Sequence, residues 1–433
     1  MGNAADAVFD HEREEKMHLL KQEWKKLVTR DGFLAVFLLC FAVTLLILWN
    51  RVYRISYGDS FLPSQYCRVA DRVQNMTETE AEKYFSEEQQ EYDPVRNVVQ
   101  KEWRSAHNYE KYLDKIRSGG SGGLRGLGKN VYQERLQKKL QTKYREMDPA
   151  EVSFAGGRGV SLFCHTDVAD MMAVLMMLLI IFRLVVWEAE SGMDGINMAA
   201  RNGAAWLTRI KWAVGLMASA AVLLLVQLYK LRLYTSAYGF TGWNRVIQVL
   251  PEFVGVDRRI TVYWFVCVFL VCKTAGFLLL YTIFFWLACV GRSAVRTVIL
   301  YGLFTGVSLF TAYGISLSGY LAVLRYFSPV QCINQEMLLS GYHALKLFQY
   351  PVSYLGLWTA VSGVLFFVLA GLIFRSRIRR VESSLSRKPV FHRESHRYRP
   401  KYFRSLSGWE GRKGMIYEGS LFVLVLTLAV VLL

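Results

Sequence analysis

The sequence predicts an all-α integral membrane protein. It should hold about six core transmembrane helices plus a seventh C-terminal span, an N-terminal amphipathic helix, and a mainly helical extracytoplasmic domain between the first two spans. Three observations carry this. Of the 433 residues, 53% are hydrophobic and 20% charged, against roughly 45–50% and about 25% in soluble domains. Uncharged blocks of membrane-crossing length alternate with charged stretches, a segregation that excludes a single soluble globule. Finally, 26 Phe, 24 Tyr and 11 Trp exclude a disordered chain, and 8 Pro exclude a proline-rich one.

The net charge of +17 fits nucleic acid, a membrane surface, or the inside-facing loops of a membrane protein. The hydropathy pattern selects the last, and no nucleic-acid partner is expected. Seven cysteines, none in a C-x-x-C pair, give no zinc pattern.

The elements follow in order. Residues 1–31 form a cytoplasmic segment in which Met17, Leu20, Trp24, Leu27 and Val28 recur at helical spacing. Such a stripe beside a span reads as an amphipathic helix lying along the membrane surface. Residues 32–50 form the first span, a permanent anchor and not a cleavable signal. Residues 51–167 form the extracytoplasmic domain. There Thr77–Glu80 reads as a capping box, and 94–117 and 129–146 are rich in helix formers. Between them, 118–128 is a flexible glycine linker. Residues 168–374 form the bundle, with spans at about 168–187, 212–229, 260–291, 297–317 and 352–374 and a cytoplasmic coupling segment at 188–211. A basic cytoplasmic loop, 375–413, carries 13 Lys/Arg against three acidic residues. It sets the orientation, with the N-terminus cytoplasmic and the chain in the cell membrane. Residues 414–433 form the seventh span.

Glu23-x-Lys25-Lys26 precedes Gly32-x-Leu34 at the first span as Glu410-x-Arg412-Lys413 precedes Gly419-x-Leu421 at the last. The matched spacing suggests a tandem duplication whose second repeat opens at residue 414; a basic flank recurring by convergence is the alternative.

Several motifs carry no chemistry. Gly123-x4-Gly128-Lys129 approaches a phosphate loop, but Asn130 stands where Ser or Thr should hold magnesium and no strand precedes it. Gly119–Gly123 matches G-x-S-x-G without the strand and helix that an elbow requires. His392-x-Glu394-x-His396 is flanked by arginines that repel a cation. No metal, cofactor or catalytic residue is expected.

Two features remain open. Cys67 and Cys164 lie near the two ends of the outer domain. Bridged, they would close a loop of about 97 residues worth about 4–5 kcal/mol; otherwise they are two buried thiols. Lys273 lies deep in the fourth apolar block and is a candidate functional charge. It faces an internal cavity, pairs with a carboxylate, Asp170 or Glu336, or snorkels from a bent or re-entrant helix. The length of the block favours snorkelling.

After the second span the chain reads Val186-Trp-Glu188-Ala-Glu190-Ser-Gly192-Met193, then Arg201-Asn-Gly203 and Arg209-Ile-Lys211. This resembles the permease subunits of the type-2 ATP-binding-cassette exporter family, as do Glu23-Trp24-Lys25-Lys26 before the first span and the order of parts. The resemblance implies a membrane-spanning subunit exporting a peptide, lipid or hydrophobic small molecule, itself no enzyme and driven by a separate ATPase. It implies ATPase contacts at Trp24, Lys25, Glu188, Glu190, Gly192, Met193 and Arg201, and a second permease half as homodimer partner or fused repeat. In that family the region corresponding to 318–350 holds short re-entrant helices. The alternative function is a membrane-anchored sensor or scaffold whose outer domain binds a ligand or partner.

Overall fold

The computed structural model describes residues 20–25, 27, 33–53, 61–86, 93–118, 131–191, 203–240, 242–315, 322–347 and 350–386. Six helical stretches in it are long and apolar enough to cross a membrane: Phe33–Tyr53, Arg158–Glu190, Trp206–Tyr238, Val262–Gly291, Ala294–Gly314 and Tyr354–Arg375. The chain is a multi-pass membrane protein in that sense. The seventh span, the glycine linker beyond Ser118, the histidine motif and the second half of the proposed repeat lie outside the described residues.

The first span is α1 (Phe33–Tyr53). Next come the domain helices α2 (Pro63–Gln74), α3 (Glu78–Ser86), α4 (Pro94–His107), α5 (Tyr109–Arg117), α6 (Val131–Tyr144) and α7 (Arg158–Cys164). Local chemistry sets their starts. Asp93 caps α4 through the Val95 and Arg96 amides, with Pro94 at the first position. Thr77 opens α3, and its amide and hydroxyl both donate to Glu80 (2.9 and 2.8 Å). The stretch 94–117 is two helices and not one, broken at Asn108. Tyr66, Val73, Phe85 and Val99 form the buried heart of the domain; Tyr109, Leu113, Tyr144 and Met147 form a smaller one.

Three long stretches make the centre of the bundle. α8 (Val168–Ile181) passes through a π turn (Phe182–Val186) into α9 (Trp187–Glu190). α10 (Gly203–Tyr238) and α11 (Val262–Gly291) pack against it and each other. Gly215 lets α10 and α11 approach closely, since a Cβ there would lie 2.2 Å from the Tyr281 hydroxyl. α10 is longer at both ends than its apolar core, so Arg209 and Lys211, expected in the coupling segment, already belong to the helix.

α11 reverses sharply into α12 (Ala294–Leu309). Arg292 takes the left-handed conformation (φ 62°), and the Ser293 hydroxyl accepts from the Arg296 amide to start α12. After a π turn (Phe310–Gly314) come α13 (Ala322–Tyr326), a 3-10 turn (Pro329–Cys332) and α14 (Glu336–Leu339). An antiparallel hairpin follows, β1 (Ala344–Leu347) with β2 (Tyr350–Ser353), pairing Ala344 with Ser353 and Leu347 with Tyr350. It feeds directly into α15 (Tyr354–Ser386). The sequence reading had no strands here.

The domain packs on one end of the bundle. A Cβ at Gly159 would lie 2.9 Å from the Tyr234 carbonyl, so α7 sits directly on α10. Tyr144 donates to the Gly255 carbonyl, Lys143 pairs with Asp257, and Lys139 donates to the Pro351 carbonyl at 2.9 Å. Arg135 lies over the Tyr350 ring, 4.0 Å from its centroid. We call this the domain end, and the opposite end, where Glu188 lies, the connector end.

Candidate functional site: a buried ionic cluster

The features that stand out chemically are charged side chains where an apolar bundle should have none. At the domain end, the break between α7 and α8 presents Asp167 as the N-cap of α8. Its carboxylate accepts from the Ala169 amide (3.1 Å), and Asp170 reaches back to accept from the Asp167 amide (3.1 Å). This reciprocal cap explains why the chain starts a helix there, and the helix dipole favours both negative charges.

Two lysines from other helices converge on this cap. Lys230 of α10 donates to the His165 carbonyl at 2.7 Å and lies 3.1 Å from Asp167 and 3.7 Å from Asp170. Lys273 of α11 lies 2.7 Å from Asp170 Oδ1. Gln227, one turn before Lys230, donates to the same oxygen at 2.6 Å. The four charged side chains are 0–2% exposed. Stripping one such ion of water costs several kcal/mol, so their mutual pairing is what makes burial tolerable.

The pairing is incomplete. Lys273 Nζ meets Asp170 but no other acceptor among the described residues. Its other near neighbour is the Phe269 ring, 5.4 Å away. The Gln227 carbonyl oxygen and the Thr166 hydroxyl are buried with no hydrogen-bond partner among the described residues. At the rim, His165 Nδ1 and Glu336 Oε2 pair at 2.8 Å, with side chains 60% and 26% exposed.

This corrects the snorkelling expected of Lys273. Its ammonium stays inside because a carboxylate is there to meet it. Asp170 is the partner, whereas Glu336 is taken by His165. Asp167, Lys230 and Gln227 were missed, although Asp167-x-x-Asp170 has the spacing of a capping box and Gln227 and Lys230 share a helix face.

Of the two alternatives left open for the cysteines, the structure has the one without a bridge. Cys67 and Cys164 are free thiols. Cys67 points to the Ala237 carbonyl (3.7 Å) and Cys164 is fully buried. Burial pushes the Cys67 thiol up from its usual range, with Asp71 adding to the shift.

At the connector end, Glu188 and Lys211 form a second buried ion pair, 6% and 8% exposed, which ties the foot of α9 to the start of α10. Glu188 therefore faces inward. Glu190 is exposed and accepts from the Ala294 amide at 2.6 Å, fastening the same foot to α12. Residues 20–25 are helical, with Trp24 and Lys25 exposed and Glu23 and Leu27 buried. Gly192, Met193 and Arg201 lie outside the described residues. Among the described residues no group of three or more His, Cys, Asp or Glu is placed to hold a metal ion. Comparison with protein families, with curated proteins and with solved structures gives no match.

Proposed function

We propose that this chain is the membrane-spanning subunit of a transporter in the cell membrane, an exporter of a peptide, lipid or hydrophobic small molecule driven by a separate ATPase on the cytoplasmic side. Its N-terminus is cytoplasmic, its connector end faces the cytoplasm, and residues 51–167 lie outside. The observation that carries the reading is the anchoring at the connector end. Glu188 binds Lys211 of α10, and Glu190 binds the Ala294 amide of α12. A push on the segment that joins α9 to α10 therefore reaches three spans at once, which a coupling segment requires. The basic stretch 375–413, whose first part continues α15 to Ser386 where a loop was expected, orients the chain by the positive-inside tendency. Trp24 and Lys25, both exposed, are the further ATPase contacts that the resemblance implies.

The test is purification of the full chain in mild detergent, identification of any ATPase that accompanies it, and measurement of its ATP hydrolysis. An ATP-binding-cassette subunit present in the wild type and lost from Glu190→Ala and Trp24→Ala, with the chain still monodisperse, supports the proposal. A wild-type chain free of any ATPase refutes it and leaves the sensor or scaffold reading.

A further inference from the structure

We propose that Lys273 is a proton-exchange site: it releases its proton to water at the domain end and thereby breaks the ionic link between α11 and α8. The inference does not depend on the ATPase reading, since a chain that binds no ATPase still holds this cluster.

The argument starts from counting acceptors. Asp170 is fully subscribed. Its Oδ2 takes the Asp167 amide and faces Lys230, and its Oδ1 takes the Gln227 amide and faces Lys273. Lys230 has the His165 carbonyl and Asp167 besides. Among the described residues Lys273 has Asp170 alone as an acceptor, and no second one. An ammonium carries three donors, and each left unmet in a buried site is costly. Of the two lysines, Lys273 is thus the one whose charge the fold supports least. Neutralising it leaves the Asp167–Asp170–Lys230 group intact.

The kind of ligand follows from room. The four side chains are closed to solvent, 0–2% exposed. A proton is the one ligand that needs no space of its own. It also has a way out. The cluster grades outward from Lys273 and Asp170, through Lys230 and Asp167, to His165 and Glu336, whose side chains are 60% and 26% exposed. Chains of carboxylates and imidazoles inside membrane bundles are the usual material of proton relays. The Thr166 hydroxyl and the Gln227 carbonyl oxygen, both buried and unbonded, lie on residues of the same group.

The groups that face Lys273 are Asp170 and Asp167 from the start of α8 and Lys230 from α10. Glu336 of α14 pairs with His165, and Glu252 accepts from the Ser161 hydroxyl and lies 3.8 Å from Arg158. In the step, one N–H bond of the Lys273 ammonium breaks and its electron pair stays on nitrogen. The proton passes to water at the His165–Glu336 rim, and the formal charge of the four-residue cluster goes from zero to −1. Asp170 then holds only to its own cap, Gln227 and Lys230. The ionic link between α8 and α11 is gone, while that between α8 and α10 remains.

The test uses the full chain in lipid nanodiscs and counts protons by difference titration across roughly pH 5 to 9. The wild type is expected to release about one more proton per chain than Lys273→Arg, whose guanidinium stays charged throughout, and than Lys273→Met. Asp170→Asn removes the nearest anion and is expected to move the release to lower pH. Wild-type and Lys273→Arg curves that superpose would overturn the proposal. So would a release that Asp170→Asn leaves in place, an arm that holds even where the lysine variants fail to fold.

Discussion

Gly276 offers the sharpest test of how the segment 322–339 is seated. It lies in α11, one turn past Lys273, and the 3-10 turn Pro329–Cys332 rests directly on it. A Cβ added at Gly276 would lie 2.4 Å from the Cys332 carbonyl oxygen and 2.9 Å from Gln335 Nε2. Ordinary carbon–oxygen contacts run at roughly 3.3–3.6 Å, so in Gly276→Ala the turn must retreat by about 1 Å. The clash is with backbone, which cannot swing aside as a flexible side chain does. Overpacking of this kind costs about 1–3 kcal/mol. Helix propensity does not offset this, because α11 is helical whether the turn is seated or open. We expect a loss of about 1–2 kcal/mol in the seating of the turn, the lower part of that range because retreat of the turn relieves the clash, which is a factor of about 5–30 in its open population. Cys332 reports it, being 4% exposed when the turn is seated. The assay is alkylation of the native protein in detergent, with the Cys332 peptide followed by mass spectrometry. Gly276→Ala should label about 5–30 times faster than wild type. Gly302→Ala is the control, since a Cβ there meets nothing within 4 Å. Equal Cys332 labelling in Gly276→Ala and wild type would refute the packing argument.

Two further outcomes are expected. Glu188→Gln or Lys211→Met alone should destabilise the chain by about 3–5 kcal/mol, because each leaves a buried charge without its partner, whereas the double variant should recover most of that loss; thermal unfolding of all four proteins closes the cycle, and additive losses would contradict the pairing. Burial holds the His343 imidazole below its usual range, so the unfolded chain binds that proton more readily than the folded one. Stability should then be lost as pH falls through the unfolded value of about 6.5 and be unaffected above it. Melting midpoints measured from pH 8 to pH 5 should drop further for wild type than for His343→Gln, and parallel curves would exclude this role.

The spans were legible because their cause is local: about 20 apolar residues need no tertiary partner to be recognised. The ends of α10 were not. Hydropathy places a boundary at the first charge, so the predicted span stops at residue 229, just before Lys230. The helix continues to Tyr238 because protein packs against it at that level: α7 lies on it, and Lys230 finds the cap of α8. Lys273 was visible as an anomaly, and Asp170 was one of two named partners. Nothing in sequence could rank Asp170 above Glu336, since His165 claims Glu336 only in three dimensions. The hairpin at 344–353 was hidden for a different reason. Pro351 argues against a strand, and each strand is only four residues long. The break at Asn108 was equally invisible, because the residues on both sides favour helix.

The unequal cover of the spans carries one more consequence. Phe33–Tyr53, Ala294–Gly314 and Tyr354–Arg375 are covered by protein over only 17%, 17% and 22%, against 72%, 39% and 56% for the three central stretches. The first three therefore make a rim that meets lipid around a protein-clad pillar. Hydrophobic mismatch acts on helices that touch lipid, so a thinner or thicker bilayer would tilt the rim helices first. It would load α15 at the hairpin that Lys139 and Arg135 hold, so lipid chain length becomes a mechanical input to the domain end.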